Sequence, residues 1–167
     1  MILGMSLSAF TTLHVIISLV AIVAGVIVKF GLLGSKRMPG LTATFLLLTI
    51  LTSATGFLFP FGKLLPSHVV GMLSLALLAI GCVALYVMNL GGAWRWIYVA
   101  TAMVALYLNV FVLVIQGFLK VAPLHALAPS VPPSEPAFLV VQGIVLAFFI
   151  IVIIGAVRRF RPLPTYA

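Results

Sequence analysis

Residues 7–28, LSAFTTLHVIISLVAIVAGVIV, contain no charged side chain and are mostly apolar. A helix of about 20 such residues spans the hydrocarbon layer of a membrane, which is about 30 Å thick. Four more apolar runs of similar length follow along the chain. The five predicted helices cover residues 7–28, 41–61, 68–90, 96–119 and 137–157.

The composition excludes a water-soluble domain. Of the 167 residues, 65% are hydrophobic and 6% are charged, and the mean hydropathy is +1.41. Soluble domains are roughly 25% charged, and the stretches between the apolar runs are too short to fold independently. Backbone in lipid must satisfy its own hydrogen bonds, and the runs lack the alternation of barrel strands. We therefore predict an all-α integral membrane bundle of five transmembrane helices, forming one domain over residues 1–167.

The basic residues predict the orientation of this bundle. An odd number of spans places the termini on opposite sides of the membrane, and basic residues concentrate in inner loops. With the N-terminus outside and the C-terminus inside, seven basic residues are inside, whereas only Lys63 and Lys120 are outside. The inner residues are Lys29, Lys36, Arg37, Arg95, Arg158, Arg159 and Arg161. The first helix is longer than the apolar core of a signal peptide, so we expect it to stay in the membrane.

Several classes of function lack the residues that they require. Cys82 is the only cysteine, so a disulfide within the chain is excluded. The basic residues are spread over loops and tail, which argues against nucleic acid as a partner. Glu135 is the only carboxylate side chain, and no nucleotide-binding, metalloprotease or serine-hydrolase motif is present. Without a paired general acid and base, we do not expect an enzyme.

Polar side chains in the predicted helices concentrate near one side. Polar groups are costly in lipid and are therefore candidates for function. The outer layer holds His14, Thr55, His68, Gln116 and Gln142, whereas Asn109 lies near the middle of the membrane. His125 and Glu135 belong to the loop above, residues 120–136, which contains five of the ten prolines. We predict that this loop is extended over most of its length.

Two of the histidines suggest a cofactor site. Neutral imidazoles from neighbouring helices can ligate a haem iron, and helix bundles commonly hold such sites. His14 and His68 are therefore the candidate ligands of a haem b. Alternatively, each histidine has a structural or proton-relaying role.

A metal ion on the outer face is another interpretation. Imidazole and carboxylate groups suit zinc or copper. If the outer loop folds down onto the helices, the ligands would be His68, His125 and Glu135.

Two interpretations involve no cofactor. A passive pathway for a neutral solute or a proton would use Asn109 at mid-membrane with Gln116 and His14 above it. Thr55 and Gln142 would be further polar pathway or packing residues. An accessory subunit would instead bind another membrane protein through faces of small residues or through the outer loop.

Three segments resemble those of a family of small bacterial inner-membrane proteins, and this likeness covers most of the chain. The segments are residues 49–60 (TILTSATGFLFP), 67–78 (SHVVGMLSLALL) and 109–125 (NVFVLVIQGFLKVAPLH). The resemblance implies a location in the bacterial inner membrane but supplies no activity. The chain is also similar to small membrane b-type cytochromes in His14 and in His68 with the three residues that follow it, which implies haem ligation by these histidines.

Together these features predict a multi-pass protein of the bacterial inner membrane with a histidine site near the periplasmic face. The expected function is haem b binding and electron transfer, and the alternative is a cofactor-free accessory subunit or passive pathway. The expected partners are the lipid bilayer and either another membrane protein or a quinone.

Overall fold

Helices form most of the part of the chain that the structure describes. The structure is a computed structural model that describes residues 2–60 and 66–162. Its helices are α1 (Leu7–Leu33), α2 (Pro39–Gly56), α3 (Pro66–Cys82), α4 (Trp94–Lys120), α5 (Ala122–Leu127) and α6 (Pro136–Arg159). Within these residues, α1, α2, α4, α6 and the span Ser67–Val87 are long and apolar enough to cross a membrane. The predicted all-helical architecture with five such helices is confirmed.

α4 is the central helix of the bundle. It packs against α1, α2, α3 and α6. These helices also contact one another, since α1 packs against α2 and α6, and α2 packs against α3. Val99, Met103 and Leu106 on α4 are fully buried. α4 thus provides the core against which the other long helices are packed.

α1 lies close to α2 and α4 at Gly25. A Cβ atom at this position would lie 2.6 Å from Leu106 Cδ1 and 2.8 Å from the Phe45 ring. Both neighbouring side chains are fully buried. Small residues permit such close contact between membrane helices. The packed layer around Gly25 separates the two ends of the bundle.

α1 extends beyond its predicted end at residue 28 and continues to Leu33. The charge of Lys29 suggested an end at this point, but Lys29 is buried and its Nζ lies 4.2 Å from the Phe30 ring centroid and 5.0 Å from that of Phe148. Aromatic faces attract cations. The helix can therefore continue past the charge.

α2 ends at Gly56, before the predicted end at residue 61. The amide groups of Phe57 and Leu58 donate to Ala54 and Thr55 carbonyl oxygens in a closing turn. Pro60 disfavours helical backbone at the residue before it. The turn places the Phe57 ring beside His68 and the Phe59 ring beside His14.

α3 also changes form near its end. α3 ends at Cys82 and continues directly into a π-helical turn, Val83–Val87. Asn89 and Leu90 follow with left-handed backbone, at φ 48° and φ 61°. The helix predicted over residues 68–90 therefore closes earlier, in a tight turn.

The proline-rich loop contains a short helix that its sequence did not predict. α5 begins at Ala122, and Pro123 occupies its first turn, where a missing N–H costs no helical hydrogen bond. Phe118, Ala128 and Phe138 are buried together between this loop and the adjoining ends of α4 and α6. The loop is therefore packed onto the bundle.

Hydrogen bonds join the chain segments at the end of the bundle opposite the proline-rich loop, which we call the basic end. Arg95 Nη1 donates to the carbonyl oxygen of Val157 at 3.2 Å and to that of Phe160. The Arg161 amide donates to Ser35 Oγ at 2.8 Å. Since cationic side chains complement the free carbonyl groups at a helix C-terminus, Arg95 fixes the end of α6.

Candidate functional site

A cavity of about 440 Å³ lies at the end of the bundle opposite Arg95. Parts of α1, α2, α3 and α4 form its wall, and most of its surface is apolar. The polar side chains that line it are Thr11, His14, Ser18, Thr52, Ser53, Ser67, His68, Ser74, Asn109, Gln116 and Lys120. We call this site the histidine cavity.

The hydrogen bond between His14 and Thr55 fixes the orientation of the His14 ring. The distance from His14 Nδ1 to Thr55 Oγ1 is 2.8 Å. The Thr55 hydroxyl already donates to the Leu51 carbonyl oxygen at 2.6 Å, so His14 Nδ1 must be the donor in its bond to Thr55. In the neutral ring Nε2 then carries the lone pair, and that nitrogen can accept a proton or bind a metal.

Aromatic rings hold both histidines in place. The Phe59 ring meets His14 edge to face, with centroids 5.2 Å apart. The Phe57 ring is tilted against His68 at 5.6 Å, and His68 is only 5% exposed. Both phenylalanines belong to the turn that ends α2. The early end of α2 therefore places one ring against each histidine.

Within the described part of the chain, two hydroxyl groups in the cavity wall have no hydrogen-bond partner. Helical serine and threonine residues usually donate to a carbonyl oxygen one turn earlier, as Ser18 and Thr49 do here. The buried Oγ atoms of Thr52 and Ser74 have no such bond. Ser74 is only 3% exposed. A buried polar group without a partner is costly, so these hydroxyl groups favour a polar ligand in the cavity.

The polar residues predicted for a pathway do not all reach this cavity. Asn109 and Gln116 line it, and Asn109 Nδ2 lies 3.4 Å from Thr49 Oγ1. Thr55 contacts the site through His14. Gln142 is buried elsewhere, on α6, and its Nε2 donates to the Phe111 carbonyl oxygen at 3.1 Å.

The predicted metal ligands His68, His125 and Glu135 are not brought together. His125 Nδ1 lies 3.2 Å from the Phe118 carbonyl oxygen, to which it can only donate. Neither His125 nor Glu135 lines the histidine cavity. Over residues 2–60 and 66–162, no three His, Cys, Asp or Glu side chains are arranged to hold a metal ion.

Glu135 instead organises the outer loop. Its carboxylate accepts bonds from the Ser130 amide at 2.9 Å, the Ser130 hydroxyl at 2.8 Å and the Ser134 amide at 3.0 Å. Partial desolvation tends to raise the pKa of Glu135, but the bonds from Ser134 and Ser130 outweigh it and lower the pKa from 4.5 to about 2. Glu135 is therefore ionised at neutral pH.

Sequence reasoning missed Ser74 and Lys120 as parts of the cavity wall. Ser67, Gly71 and Ser74 follow the i, i+4, i+7 spacing of one helix face, and all three line the cavity. That spacing could have identified the face. It could not have shown that the Ser74 hydroxyl lacks a partner.

Comparison of the chain with protein-family models, with curated proteins and with solved structures found no match. The resemblances drawn from the sequence therefore stay predictions, and function is inferred from the histidine cavity.

Proposed function

We propose that the protein is a multi-pass protein of the bacterial inner membrane that binds haem b in the histidine cavity and transfers electrons. The shared position of His14 on α1 and His68 on α3 in the wall of one cavity supports this proposal. Two imidazoles on separate helices are a common axial ligand pair for haem iron. The volume of about 440 Å³ lies within the range of about 300–1,000 Å³ that small-molecule and cofactor sites occupy.

The distribution of charge supports an orientation with the histidine cavity near the periplasmic face. Arg158 and Arg159 end α6 at the basic end, where Arg95 lies in the first turn of α4. Among the described residues, Lys120 is the only lysine or arginine that lines the cavity. Because basic residues favour the cytoplasmic side, the N-terminus is proposed to be outside and the C-terminus inside.

The surroundings of His14 suit a ligating imidazole. Ligating histidines usually donate their other ring N–H to a neighbouring acceptor, which fixes the tautomer and the ring orientation. Thr55 Oγ1 accepts this bond from His14 Nδ1, which leaves Nε2 for the ligand. Lys120 would offer a cation to a carboxylate on the ligand. Haem b would supply a one-electron couple, and a quinone or another membrane protein would exchange electrons with it.

Absorption spectra of the purified protein, as isolated and after reduction with dithionite, test this proposal. We expect a Soret band and reduced-state bands in the wild type. His14→Ala and His68→Ala should each lose the bound haem. His125→Ala is the matched control, because His125 lies outside the cavity, and it should keep the wild-type spectrum.

Two results would contradict haem binding. One is a wild-type protein that stays colourless after expression with supplied haem. The other is an equal loss of haem in all three histidine variants, because His125 has no place in the proposed site.

A cofactor-free cavity for a neutral ligand is the second candidate, and the Thr52 and Ser74 hydroxyl groups favour it. These groups would donate to a carbonyl oxygen of the ligand, such as that of a quinone ring. The mostly apolar wall suits such a ring. In this case the protein is an accessory or pathway protein, and His14 and Asn109 are polar contacts.

Thermal unfolding with and without a short-chain ubiquinone tests the second candidate. The quinone should raise the unfolding temperature of a colourless wild-type protein, and Ser74→Ala should reduce this rise. Ser8→Ala is the control, because Ser8 is exposed near the start of α1 and does not line the cavity. No rise in the wild type would exclude quinone binding.

A further inference from the structure

A second, smaller cavity lies at the basic end of the bundle. Its volume is about 240 Å³. Its wall is formed by the loop between α1 and α2, the end of the third span (Ser67–Val87), the start of α4 and Phe160. Its polar and charged lining residues are Lys36, Arg37, Thr42, Tyr86, Asn89 and Tyr98. We call this site the basic pocket.

The side chains of the basic pocket favour an anion. Lys36 and Arg37 supply two cations, and hydroxyl and amide groups supply further hydrogen-bond donors. No carboxylate side chain lines the pocket, and the only one in the sequence, Glu135, lies in the loop at the other end. Guanidinium and ammonium groups that converge with neutral donors are typical of phosphate recognition.

The start of α2 adds to this preference. α2 begins at Pro39, and both Met38 and Pro39 line the pocket. No side chain caps this helix N-terminus. Pro39 has no amide hydrogen and the Thr42 amide donates to the Met38 carbonyl oxygen, so α2 contributes the positive end of its dipole rather than a row of free amide groups. An anion in the pocket would thus meet two side-chain cations and the positive end of α2.

Both sides of the basic pocket are held by backbone hydrogen bonds. On one side, the Lys36 amide donates to the Gly31 carbonyl oxygen at 2.8 Å. On the other side, the Leu90 amide donates to the Ala84 carbonyl oxygen at 3.0 Å and fixes the left-handed turn that presents Asn89. The pocket is therefore formed before a ligand arrives, which lowers the entropic cost of binding.

The residues around the basic pocket place it where lipid headgroups would be. Tyr86, Val87 and Trp96 are exposed at this end, although they are apolar or aromatic. Aromatic side chains are enriched at the membrane–water interface. Basic pockets between membrane helices bind anionic lipid headgroups through this combination of charge and position.

We propose that the basic pocket binds a phosphate group, presented by the headgroup of an anionic phospholipid. Lys36 and Arg37 neutralise the phosphate, and Asn89 donates a hydrogen bond to it. The acyl chains lie along the exposed apolar surface of the third span. This site is independent of the histidine cavity and of haem binding.

Lipid titration with detection by native mass spectrometry tests the proposal. The detergent-solubilised full chain is titrated separately with phosphatidylglycerol and phosphatidylcholine, and inorganic phosphate binding is measured by equilibrium dialysis. We expect tighter binding of phosphatidylglycerol. The double variant Lys36→Gln/Arg37→Gln should weaken this binding about tenfold or more, since each cation near anionic lipid contributes to affinity.

Arg158→Gln/Arg159→Gln is the matched control. It removes the same charge from the same end, and both arginines are exposed and lie outside the pocket. It should keep wild-type binding to within about twofold. Asn89→Gly tests the side-chain amide without changing the charge of the pocket. Glycine accepts the left-handed backbone at this position. It should weaken binding about threefold.

The outcomes separate the possible sources of the phosphate. Binding of inorganic phosphate that Lys36→Gln/Arg37→Gln abolishes, with no preference for phosphatidylglycerol, would keep the phosphate site and identify free phosphate as its ligand. Unchanged lipid and phosphate binding in Lys36→Gln/Arg37→Gln would overturn the proposal. An equal loss in the Arg158→Gln/Arg159→Gln control would also overturn it, because the effect would then be one of surface charge.

Discussion

The two ends of the bundle carry different kinds of polar group. The histidine cavity is lined by imidazole, hydroxyl and amide groups, and two of its hydroxyl groups have no partner among residues 2–60 and 66–162. At the basic end, Arg95 is bonded to carbonyl groups and the smaller pocket presents two cations. The difference indicates a division of roles. Neutral polar groups within the bundle suit a ligand held among helices, whereas cations at the rim suit the membrane surface.

The largest expected effect tests the packed layer that separates the two ends. Gly25→Leu would place side-chain atoms where Leu106 and Phe45 already lie within 3 Å of a Cβ position. We expect a loss of more than about 3 kcal/mol in the free energy of unfolding. Unfolding in detergent, followed by circular dichroism, measures this.

Gly143→Leu is the control for this change. Gly143 is exposed on α6, and no atom lies within 4 Å of a Cβ at this position. Its stability should change by no more than about 1 kcal/mol. Equal effects of the two substitutions would show that α1 does not pack as described.

The next effect concerns the closed basic end. Arg95→Gln removes the charged donor that binds the Val157 and Phe160 carbonyl groups. We expect the free energy of unfolding to fall by about 2 kcal/mol, because hydrogen bonds with charged groups are among the stronger ones. Arg158→Gln should cost at most about 1 kcal/mol, since Arg158 is exposed and acts mainly on the helix dipole. Similar decreases in stability in the two variants would contradict the claim that Arg95 fixes the end of α6.

A smaller effect is expected in the histidine cavity. Thr55→Val removes the oxygen that accepts the His14 Nδ1 proton. The free energy of unfolding should fall by about 1 kcal/mol. Ligand binding in the cavity should also weaken, because the His14 ring is no longer oriented. Thr12→Val is the control, as Thr12 is exposed and its hydroxyl donates to the Ser8 carbonyl oxygen of its own helix. Wild-type stability and ligand binding in Thr55→Val would argue against the proposed role of this bond.

The smallest effect is a response of the outer loop to acid. The pKa of Glu135 is lowered from 4.5 to about 2 in the folded protein, so its contribution to loop order is complete above about pH 4.5 and is lost as the pH falls toward 2. Hydrogen-exchange protection of the Ser130 and Ser134 amides should decrease over this range. Glu135→Gln should have low protection throughout. A decrease of the same size in this variant would assign the acid response to another group.

Much of the fold follows from hydropathy, but the ends of the helices do not. Runs of about 20 apolar residues predict membrane helices because few other structures satisfy the backbone in lipid. Lys29, past which α1 continues, lies against the Phe148 ring, which α6 supplies from far along the chain. The short helix α5 depends on packing of the loop against Phe118 and Phe138. Tertiary contacts of this kind leave no local pattern in the sequence.

The candidate site was predictable in part. Helical rise and the order of the spans predict His14 and His68 near one end, and both residues line one cavity. The missing partners of Thr52 and Ser74 are not predictable, because most helical hydroxyl groups bond to their own backbone. The bonds from Ser130 and Ser134 to the Glu135 carboxylate join residues that are close in sequence, but the proline-rich composition of the loop did not predict them.

Labelling from outside the cell tests most directly the proposed placement of the two ends on opposite sides of the membrane. In a Cys82→Ser background, Ala126→Cys reports on the loop at the end with the histidine cavity, and Ala93→Cys reports on the basic end. Both alanines are exposed. In intact cells, a membrane-impermeant maleimide should label Ala126→Cys, and it should label Ala93→Cys only after permeabilisation. The reverse pattern, or labelling of both positions in intact cells, would contradict the proposed orientation and the periplasmic position of the histidine cavity.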